Sequence, residues 1–545
     1  MKLILAGSGG LVAYLAWRSL GWPLLHDAPL MYYIAWVIGQ GGVPYRDVFD
    51  MNLPGVYLLH MAILDAAGPS DIAWRLVDLG WLAAIGALLW LYARPAGDLP
   101  ALCGSVLFAL YHLSGGDWRA GQRDYLLCLF LIAGAYGIAR SFERDGAPGP
   151  STLAGLALGA GMTIKPHAGL YWLAGAAIVA WGAWRAKRSA VKAAAGMLLG
   201  GLVFPALVFG WLAWRGGLGP FVDVFTGYVI PLYSRVGRVA VWRSIPGYRH
   251  GVSSWALMGL LAAIALARPM PGAARPRRVV GARPRQVVAA VGVLCGALHF
   301  ALQAKGWEYQ TYPLMLFLCA LVPFAVARVA PAARPGRPSY EGAACARPDV
   351  CPRAGALSRL VDRAGPALFW PSAALSRAGA LAQSGALARL AALGALAALV
   401  AVLGTKGVEA LDAPWIADKA RRVDAVTRDL ARIMPDGATV QVMDVTEGGI
   451  HALWKLGRRQ PTRFIYDFHF FHNEDDPRIR ALRREFVAAL AAAPPADIVI
   501  FRDTWNRHGY ERISDWPALA AFIDHAYVLA VEGDAYRIYA KRPGS

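Results

Sequence analysis

The sequence predicts an α-helical, polytopic membrane protein of about eleven spans, with interfacial helices in the first external loop and a small α/β extracytoplasmic domain at the C-terminal end. Three observations carry that reading. Of 545 residues, 57% are hydrophobic and 17% charged, against roughly 25% charged in soluble domains, and the mean hydropathy is +0.40. The charge is clustered, leaving apolar runs of about 15–22 residues that recur through roughly the first 400 positions. Beyond about residue 410 the pattern changes to amphipathic helices and short β-branched runs. A soluble enzyme, a fibrous protein and a disordered chain are excluded.

The first span, Leu3 to Trp17, follows only Lys2. Because Trp17-Arg18-Ser19-Leu20 offers no small-residue cleavage site, it reads as a retained helix rather than a cleaved signal. Further spans read at 72–93, 98–113, 120–140, 152–164, 168–184, 191–214, 251–267, 287–303, 310–328 and 386–404, the last dominated by Ala and Gly. With the N-terminus inside, the inward loops hold Arg94, then Arg140 and Arg144, then Arg185, Lys187, Arg188 and Lys192, then 267–286 with six arginines and no acid. A basic Pro/Arg-rich stretch, 330–355, is inward as well. Positive charge stays on the cytoplasmic side, so the excess of 55 basic over 36 acidic residues reports sidedness and not nucleic-acid binding.

The expected domains are a membrane domain at 1–330, a disordered cytoplasmic linker at 331–384, a last span at 385–405 and an external α/β domain at 410–545. In that domain helices are expected at 414–433 and 478–493, strands within TVQVMD and ADIVIF, and a hairpin within AYVLAVEGDAYRIYAKR. Cys103, Cys128, Cys295 and Cys319 lie in apolar runs, and Cys345 and Cys351 lack metal-ligand spacing, so no disulfide framework is implied.

The external loops carry the chemistry. The first, of about fifty residues, is too long for a simple connection. It contains two helix-length amphipathic pieces, near 29–39 and 54–66, suited to the membrane interface, together with Asp27, Asp47 and Asp50. The second places Asp117, Arg119, Arg123 and Asp124 within about two helical turns, a charge density that is costly at a membrane boundary unless used or paired. Lys165-Pro166-His167 ends the fifth span externally, where the orientation rule gives no reason for a lysine. The loop from Arg215 to His250 carries Arg235, Arg238, Arg243 and Arg249 among Tyr228, Tyr233, Trp242 and Tyr248, against the single acid Asp223. It fits a gate over an anionic lipid carrier, or a contact for anionic lipid in general. Lys305, Trp307, Glu308 and Tyr309 join the ninth and tenth spans.

These residues resemble the GT-C superfamily of polytopic glycosyltransferases that use polyprenyl-phosphate sugars, closest to the protein-mannosyltransferase and aminoarabinose-transferase branch. The resemblance rests on His26-Asp27-Ala28-Pro29 followed by Tyr32-Tyr33, on Gly41 to Asp50 with Asn52-Leu53-Pro54-Gly55, on Gln122-Arg123-Asp124-Tyr125, and on Ile164-Lys165-Pro166. It covers roughly residues 1–330 as architecture. The stretch from Lys305 departs from the family's pattern in carrying Gln310 in place of a histidine.

The resemblance implies an inverting transfer on the external face of a bacterial inner membrane. The partners it implies are a polyprenyl-phosphate-sugar donor, a cell-envelope acceptor (lipid, polysaccharide or protein) and the bilayer. It implies that an aspartate of the first loop is the general base: Asp27 first, which also fits a helix N-cap, with Asp47 and Asp50 either acting beside it or structural. Arg123, Asp124, Lys165, Lys305, Arg235 and Arg238 are the expected donor-phosphate residues. Salt-bridge anchoring for the Arg123–Asp124 neighbourhood and snorkelling for Lys165 remain open. The expected substrate contacts are His26, Tyr45, Arg119, His167, Trp307, Glu308 and Tyr309. A divalent cation, Mg or Mn, is left open and no metal ligand is assigned. His469 and His472 have no recognisable metal motif, and the stretch from Arg463 to His472 is expected to face the membrane domain and line the acceptor side. Two rival readings are a ligase or polymerase using a lipid-linked oligosaccharide and a non-enzymatic lipid-linked sugar flippase.

Overall fold

A computed structural model describes residues 1–240, 249–267, 283–329, 385–505 and 507–544. Helices form at every expected span. In chain order they are α1 (Lys2–Arg18), then α2 (Asp27–Gly39) and α3 (Pro54–Ala67) in the first external loop, then α4 (Asp71–Ala93), α5 (Asp98–Leu113), α6 (Arg123–Glu143), α7 (Pro148–Ile164), α8 (Ala168–Arg185) and α9 (Ala190–Trp214). A short α10 (Leu218–Val224) precedes α11 (Arg249–Leu266), α12 (Arg283–Gln303), α13 (Tyr312–Val329) and α14 (Gly385–Leu411). Among the described residues, seven stretches are by themselves long and apolar enough to cross a membrane. The other four expected spans, α5, α7, α8 and α11, run only 16 to 18 residues. They are held by neighbours rather than by their own hydropathy. The α7–α9 contact shows how: at Gly155 and Gly159 of α7 and Gly200 of α9, a Cβ would strike backbone of the facing helix, so small residues set the approach.

The linker expected at 331–384, Cys345, Cys351 and the side chains of Trp242, Arg243, Tyr248, Arg249 and His250 lie outside the described residues. So does most of the arginine-rich segment 267–286.

A buried ionic hub sits at the end of the bundle that carries the first external loop. Arg75 and Asp78 of α4 form an ion pair with both side chains at 2% exposure or less. Asp78 also meets His112 of α5 at 3.0 Å and accepts the Gly121 amide at 3.0 Å, while its backbone carbonyl accepts the Tyr125 hydroxyl at 2.7 Å. Arg75 reaches Ser19, just beyond α1, at 2.8 Å, and His112 reaches Tyr312 of α13 at 2.7 Å. Gly121 has φ +69° and a Cβ there would lie 2.5 Å from the Trp74 ring, so only glycine lets the 114–122 loop close onto Asp78.

The C-terminal domain contains α15 (Pro414–Ile433), β1 (Val440–Met443), α16 (Gly449–Lys455), α17 (Pro477–Ala492), β2 (Asp497–Phe501), α18 (Pro517–Ala526), β3 (Tyr527–Gly533) and β4 (Tyr536–Lys541). The strand order is β1-β2-β4-β3. Strands β1 and β2 are parallel with Val440 opposite Asp497, and β4 is antiparallel to both β2 and β3, with a bulge between Leu529 and Val531. The parallel pair is buried along its whole length, as covered parallel strands are, while β3 exposes Val528 and Leu529 at the edge.

This domain seats on the first external loop. The Phe49 amide donates to the Arg463 carbonyl at 2.7 Å, Arg463 donates to the Tyr45 carbonyl at 3.1 Å, and the Gln460 amide donates to the Tyr33 hydroxyl at 3.0 Å. It also meets the 215–240 loop through Arg478 and Asp223 at 2.5 Å, and the 303–308 loop through Trp505 and Trp307 at 5.5 Å. Three loops that the charge rule assigns to one side therefore lie together under one domain. The helix α2, expected to be amphipathic and to lie in the membrane interface, is apolar all round and buried from Ala28 to Ala35, because α3 and the C-terminal domain cover it.

Replacing Asp78 with Ala leaves Arg75 buried without its ion-pair partner and His112 Nε2 without its hydrogen-bond partner. It is expected to lower the stability of the detergent-solubilised protein by about 3–5 kcal/mol, read as a lost or shifted thermal transition. An unshifted transition would remove the hub from this account.

Candidate active site

His26 turns the chain into α2 through a conformation unusual for a non-glycine residue, φ 57° and ψ −121°. Asp27 follows as the first residue of α2, and its carboxylate lies 3.4 Å from Arg123, the first residue of α6. Arg123 also donates to the Asn52 side-chain oxygen. The Asn52 amide nitrogen in turn donates to both oxygens of Asp50, at 2.8 and 3.1 Å, and the Tyr57 hydroxyl donates to Asp50 at 2.5 Å. Asp50 is buried. Burial pushes its carboxyl above the usual carboxylate range, against the opposing bonds from Tyr57 and Asn52. The Tyr45 hydroxyl, equally buried, donates to the Asn52 carbonyl at 2.6 Å and closes the loop.

Beside Arg123, Asp124 organises a second group. It pairs with Lys165 at 3.0 Å and His299 at 2.6 Å, and accepts from Gln303 at 3.3 Å. Lys165 donates to the Gln303 oxygen at 2.8 Å, which Gln310 also approaches at 3.0 Å. The His167 ring lies 4.9 Å from that of His299. Around these groups stand Tyr309, Tyr233 and Tyr466. Burial pushes the Tyr233 phenol up to about 12, opposed by Arg123, and the Tyr466 phenol is also raised by burial, with Asp50 and Asp27 adding to the effect. The site thus joins α2, the 45–57 loop, α6, the end of α7, α12, the 303–310 connection and the C-terminal domain.

Other expected site residues are engaged elsewhere. Asp47 caps a turn: it pairs with Arg46 at 2.8 Å and accepts the Val43 amide at 2.8 Å, and it shares no hydrogen bond with the Asp27–Arg123 group. Arg119 and Glu308 are matched to each other at 2.5 Å, with the guanidinium 4.1 Å from the Tyr111 ring centroid. Lys305 donates to the carbonyls of Tyr233, at 2.8 Å, and Val236, so it clamps the loop that carries Arg235 and Arg238. Burial, reinforced by Arg238, lowers its ammonium to about 8. Arg235 and Arg238 are themselves exposed. Trp307 packs between Tyr309 and Trp505.

Sequence reasoning missed Tyr57, His299 and Gln303 as partners in this site, while Tyr466 belongs to the Arg463 to His472 stretch expected to face the membrane domain. His299 had a usable signal, an ionisable residue inside an apolar run. Tyr57 had none, since its role depends on how the loop folds. Asp117 is also buried, with one carboxylate oxygen unpartnered, and burial pushes its carboxyl up to about 8 against the opposing Arg75.

A divalent cation would find few free ligands. No group of three or more His, Cys, Asp or Glu side chains able to hold one is found among the described residues. Asp50 and Asp124 are already committed to the partners above, so no step below is drawn through a metal.

No family model and no curated protein matches the sequence. Solved structures do match in fold. ArnT from Cupriavidus metallidurans in the apo state aligns with 98% of this chain and 97% of its own at a TM-score of 0.60 and 13% identity. The same protein bound to undecaprenyl phosphate aligns with 99% of this chain and 98% of its own at a TM-score of 0.55 and 13% identity. The chain therefore shares the fold of these two structures along nearly its whole length.

The buried Asp117 generates a pH test. Its folded-state value of about 8 lies above that of an unfolded chain, roughly 3.9, so the folded protein holds this proton longer. The group's contribution therefore favours the fold at low pH and is lost as pH rises through about 8. The wild-type melting temperature is expected to fall between pH 5 and pH 8 more steeply than that of Asp117→Asn, since that range lies between the unfolded value of roughly 3.9 and the folded value of about 8. Equal slopes would refute the assignment.

Proposed function

We propose that the chain is an inverting membrane glycosyltransferase that moves a sugar from a polyprenyl-phosphate carrier to a hydroxyl of a cell-envelope acceptor, on the external face of a bacterial inner membrane. The observation that carries this reading is the convergence of Asp27, Arg123 and Lys165 at the domain-bearing end of a GT-C bundle. The solved relative in fold that holds undecaprenyl phosphate supports the choice of carrier.

The chemistry fits those groups. The acceptor oxygen attacks the anomeric carbon, its proton passes to the Asp27 carboxylate, and the bond from the anomeric carbon to the phosphate oxygen breaks. The electron pair leaves on the polyprenyl phosphate. Charge then grows on the phosphate, where Arg123 and Lys165 supply fixed cations in a site largely closed to water. Neither cation floats: Asn52, oriented by Asp50 and Tyr57, holds the guanidinium, and Asp124 with Gln303 holds the ammonium. Asp50 is thereby assigned to positioning, and Asp27 alone to the base. The exposed Arg235 and Arg238, on the loop clamped by Lys305, suit the approach of an anionic lipid head.

Purified protein is expected to release polyprenyl phosphate from a polyprenyl-phosphate sugar and glycosylate an envelope extract, both followed by mass spectrometry. Asp27→Asn should lose roughly 100- to 10,000-fold in transfer while still binding undecaprenyl phosphate. Arg123→Ala should lose lipid-phosphate binding as well. Transfer by Asp27→Asn at near wild-type rate would sink the base assignment. Movement of lipid-linked sugar across liposomes, with no release of polyprenyl phosphate from any donor, would replace the enzyme by a flippase.

A further inference from the structure

An apolar stripe faces away from the protein along the segment that follows α9. Trp214 closes α9 at 80% exposure, and beyond it Leu218, Val222 and Ile230 are exposed by 38, 49 and 64%. Thr226, between the last two, is exposed as well. The opposite face of the same segment is sealed. Val224 and Tyr228 are fully buried, and the Phe221 and Phe225 rings lie 5.1 and 6.1 Å from that of Tyr45 in the first external loop.

The backbone keeps the stripe on one side. Gly216, at φ +73°, and Gly217 end α9 by returning their amides to the carbonyls of Ala213 and Leu212 at 2.9 and 2.8 Å. The chain then winds through α10 directly into a π turn, Phe225–Val229, closed by the Ile230 amide on the Phe225 carbonyl at 2.9 Å. An i→i+5 turn holds more residues than an α turn, so it reverses the drift that a four-residue spacing accumulates along an α-helix. Residues 218, 222, 226 and 230 therefore share one face, and 224 and 228 share the other.

An exposed apolar face of this kind marks a membrane or a protein partner. Three observations select the membrane. The stripe continues the uncovered side of α9, a helix long and apolar enough to span, which leaves Leu199, Leu202 and Leu207 exposed. Trp214 stands at the end of that span, where tryptophans mark the membrane boundary. The segment's charges avoid the stripe: Asp223 turns to Arg478 of the C-terminal domain at 2.5 Å, Arg215 donates to the Gly42 carbonyl at 2.8 Å, and the exposed Arg235 and Arg238 come only after Ile230, suited to headgroups. One apolar face, a sealed opposite face and flanking arginines describe a segment that lies in the interface plane.

We propose that the face formed by Leu218, Val222, Thr226 and Ile230 lies in the membrane interface on the side of the C-terminal domain, with lipid as its partner. The interfacial role that the sequence suggests for α2 thus falls to this later segment, because α2 is covered by α3 and the domain. The seat also fixes a height. Tyr228, on the sealed face, bonds His469 and His472 of the C-terminal domain at 2.6 and 2.9 Å, so the domain rests on the bilayer through this segment. The inference stands apart from the transferase reading, and its test involves no turnover.

Spin labels are placed at Val222→Cys and Ile230→Cys in the full-length protein carrying Cys345→Ser and Cys351→Ser; the other four cysteines are buried. Leu202→Cys, in mid-span, and Val528→Cys, exposed on β3, supply the two reference environments. In nanodiscs of phosphatidylethanolamine and phosphatidylglycerol, the ratio of oxygen to water-soluble nickel collisions at 222 and 230 should exceed that at 528 by about threefold or more and stay below that at 202, as for a depth of roughly 5–10 Å. The unmodified protein supplies a second reading. A phospholipid with a photoreactive group near its headgroup should attach to the peptide spanning 218–230 and not to β3, as mapped by mass spectrometry. Ratios at 222 and 230 equal to that at 528 overturn the proposal. So does shielding of both labels from oxygen and nickel together, which assigns the face to a second copy or another protein, and so does an absence of lipid adducts on 218–230.

Discussion

Charge brought into the apolar end of a helix bundle must be matched there, and the Arg75–Asp78–His112 hub is where this protein meets that requirement first. Asp78 binds one cation on its own helix, one imidazole on the next, and the amide of Gly121 in the loop that follows. By fixing that loop two residues before Arg123, it sets where the guanidinium and the carboxylate of Asp124 enter the site. The candidate site is thus an extension of a structural cluster, and both obey the same electrostatic rule.

The carboxylates of the site divide by their commitments. Asp50 spends its oxygens on Tyr57 and Asn52, Asp124 on Lys165, His299 and Gln303, and Asp47 on a turn. Asp27 meets a single partner at the long distance of 3.4 Å, the loosest commitment among these carboxylates. The same logic separates the cations. Arg119 is bound to Glu308 and Lys305 to backbone carbonyls, whereas Arg123 and Lys165 are held in place by polar side chains around a space shared with Tyr309, Tyr233 and Tyr466.

The C-terminal domain is a working wall of the site. Arg463, Phe464 and Gln460 fix it to the first external loop, Trp505 fixes it to the 303–308 connection, and Tyr466 enters the field of Asp27 and Arg123. Tyr228 joins it to the loop after α10 by bonding both His469 and His472, at 2.6 and 2.9 Å. The two histidines that suggest a metal in the sequence are used here as an interdomain clasp, because one phenol can donate to one imidazole and accept from the other.

Hydropathy and charge clustering by themselves determined the helices, their order and the separate α/β domain, because these depend on local periodicity and on the cost of polar groups in lipid. Even the short spans were legible, since an apolar run announces itself whether or not it could cross a membrane alone. Short motifs also marked Asp27, Arg123, Asp124 and Lys165, for charges at span ends stand out against an apolar background. Which of those charges stay available, and which are consumed by a neighbour, only the tertiary structure decided. Arg119 and Glu308 are 189 positions apart and His299 and Asp124 are 175 apart, and no local pattern pairs residues at such separations. Pairing is a property of distance and burial, and both arise only when the helices and the domain above them have packed.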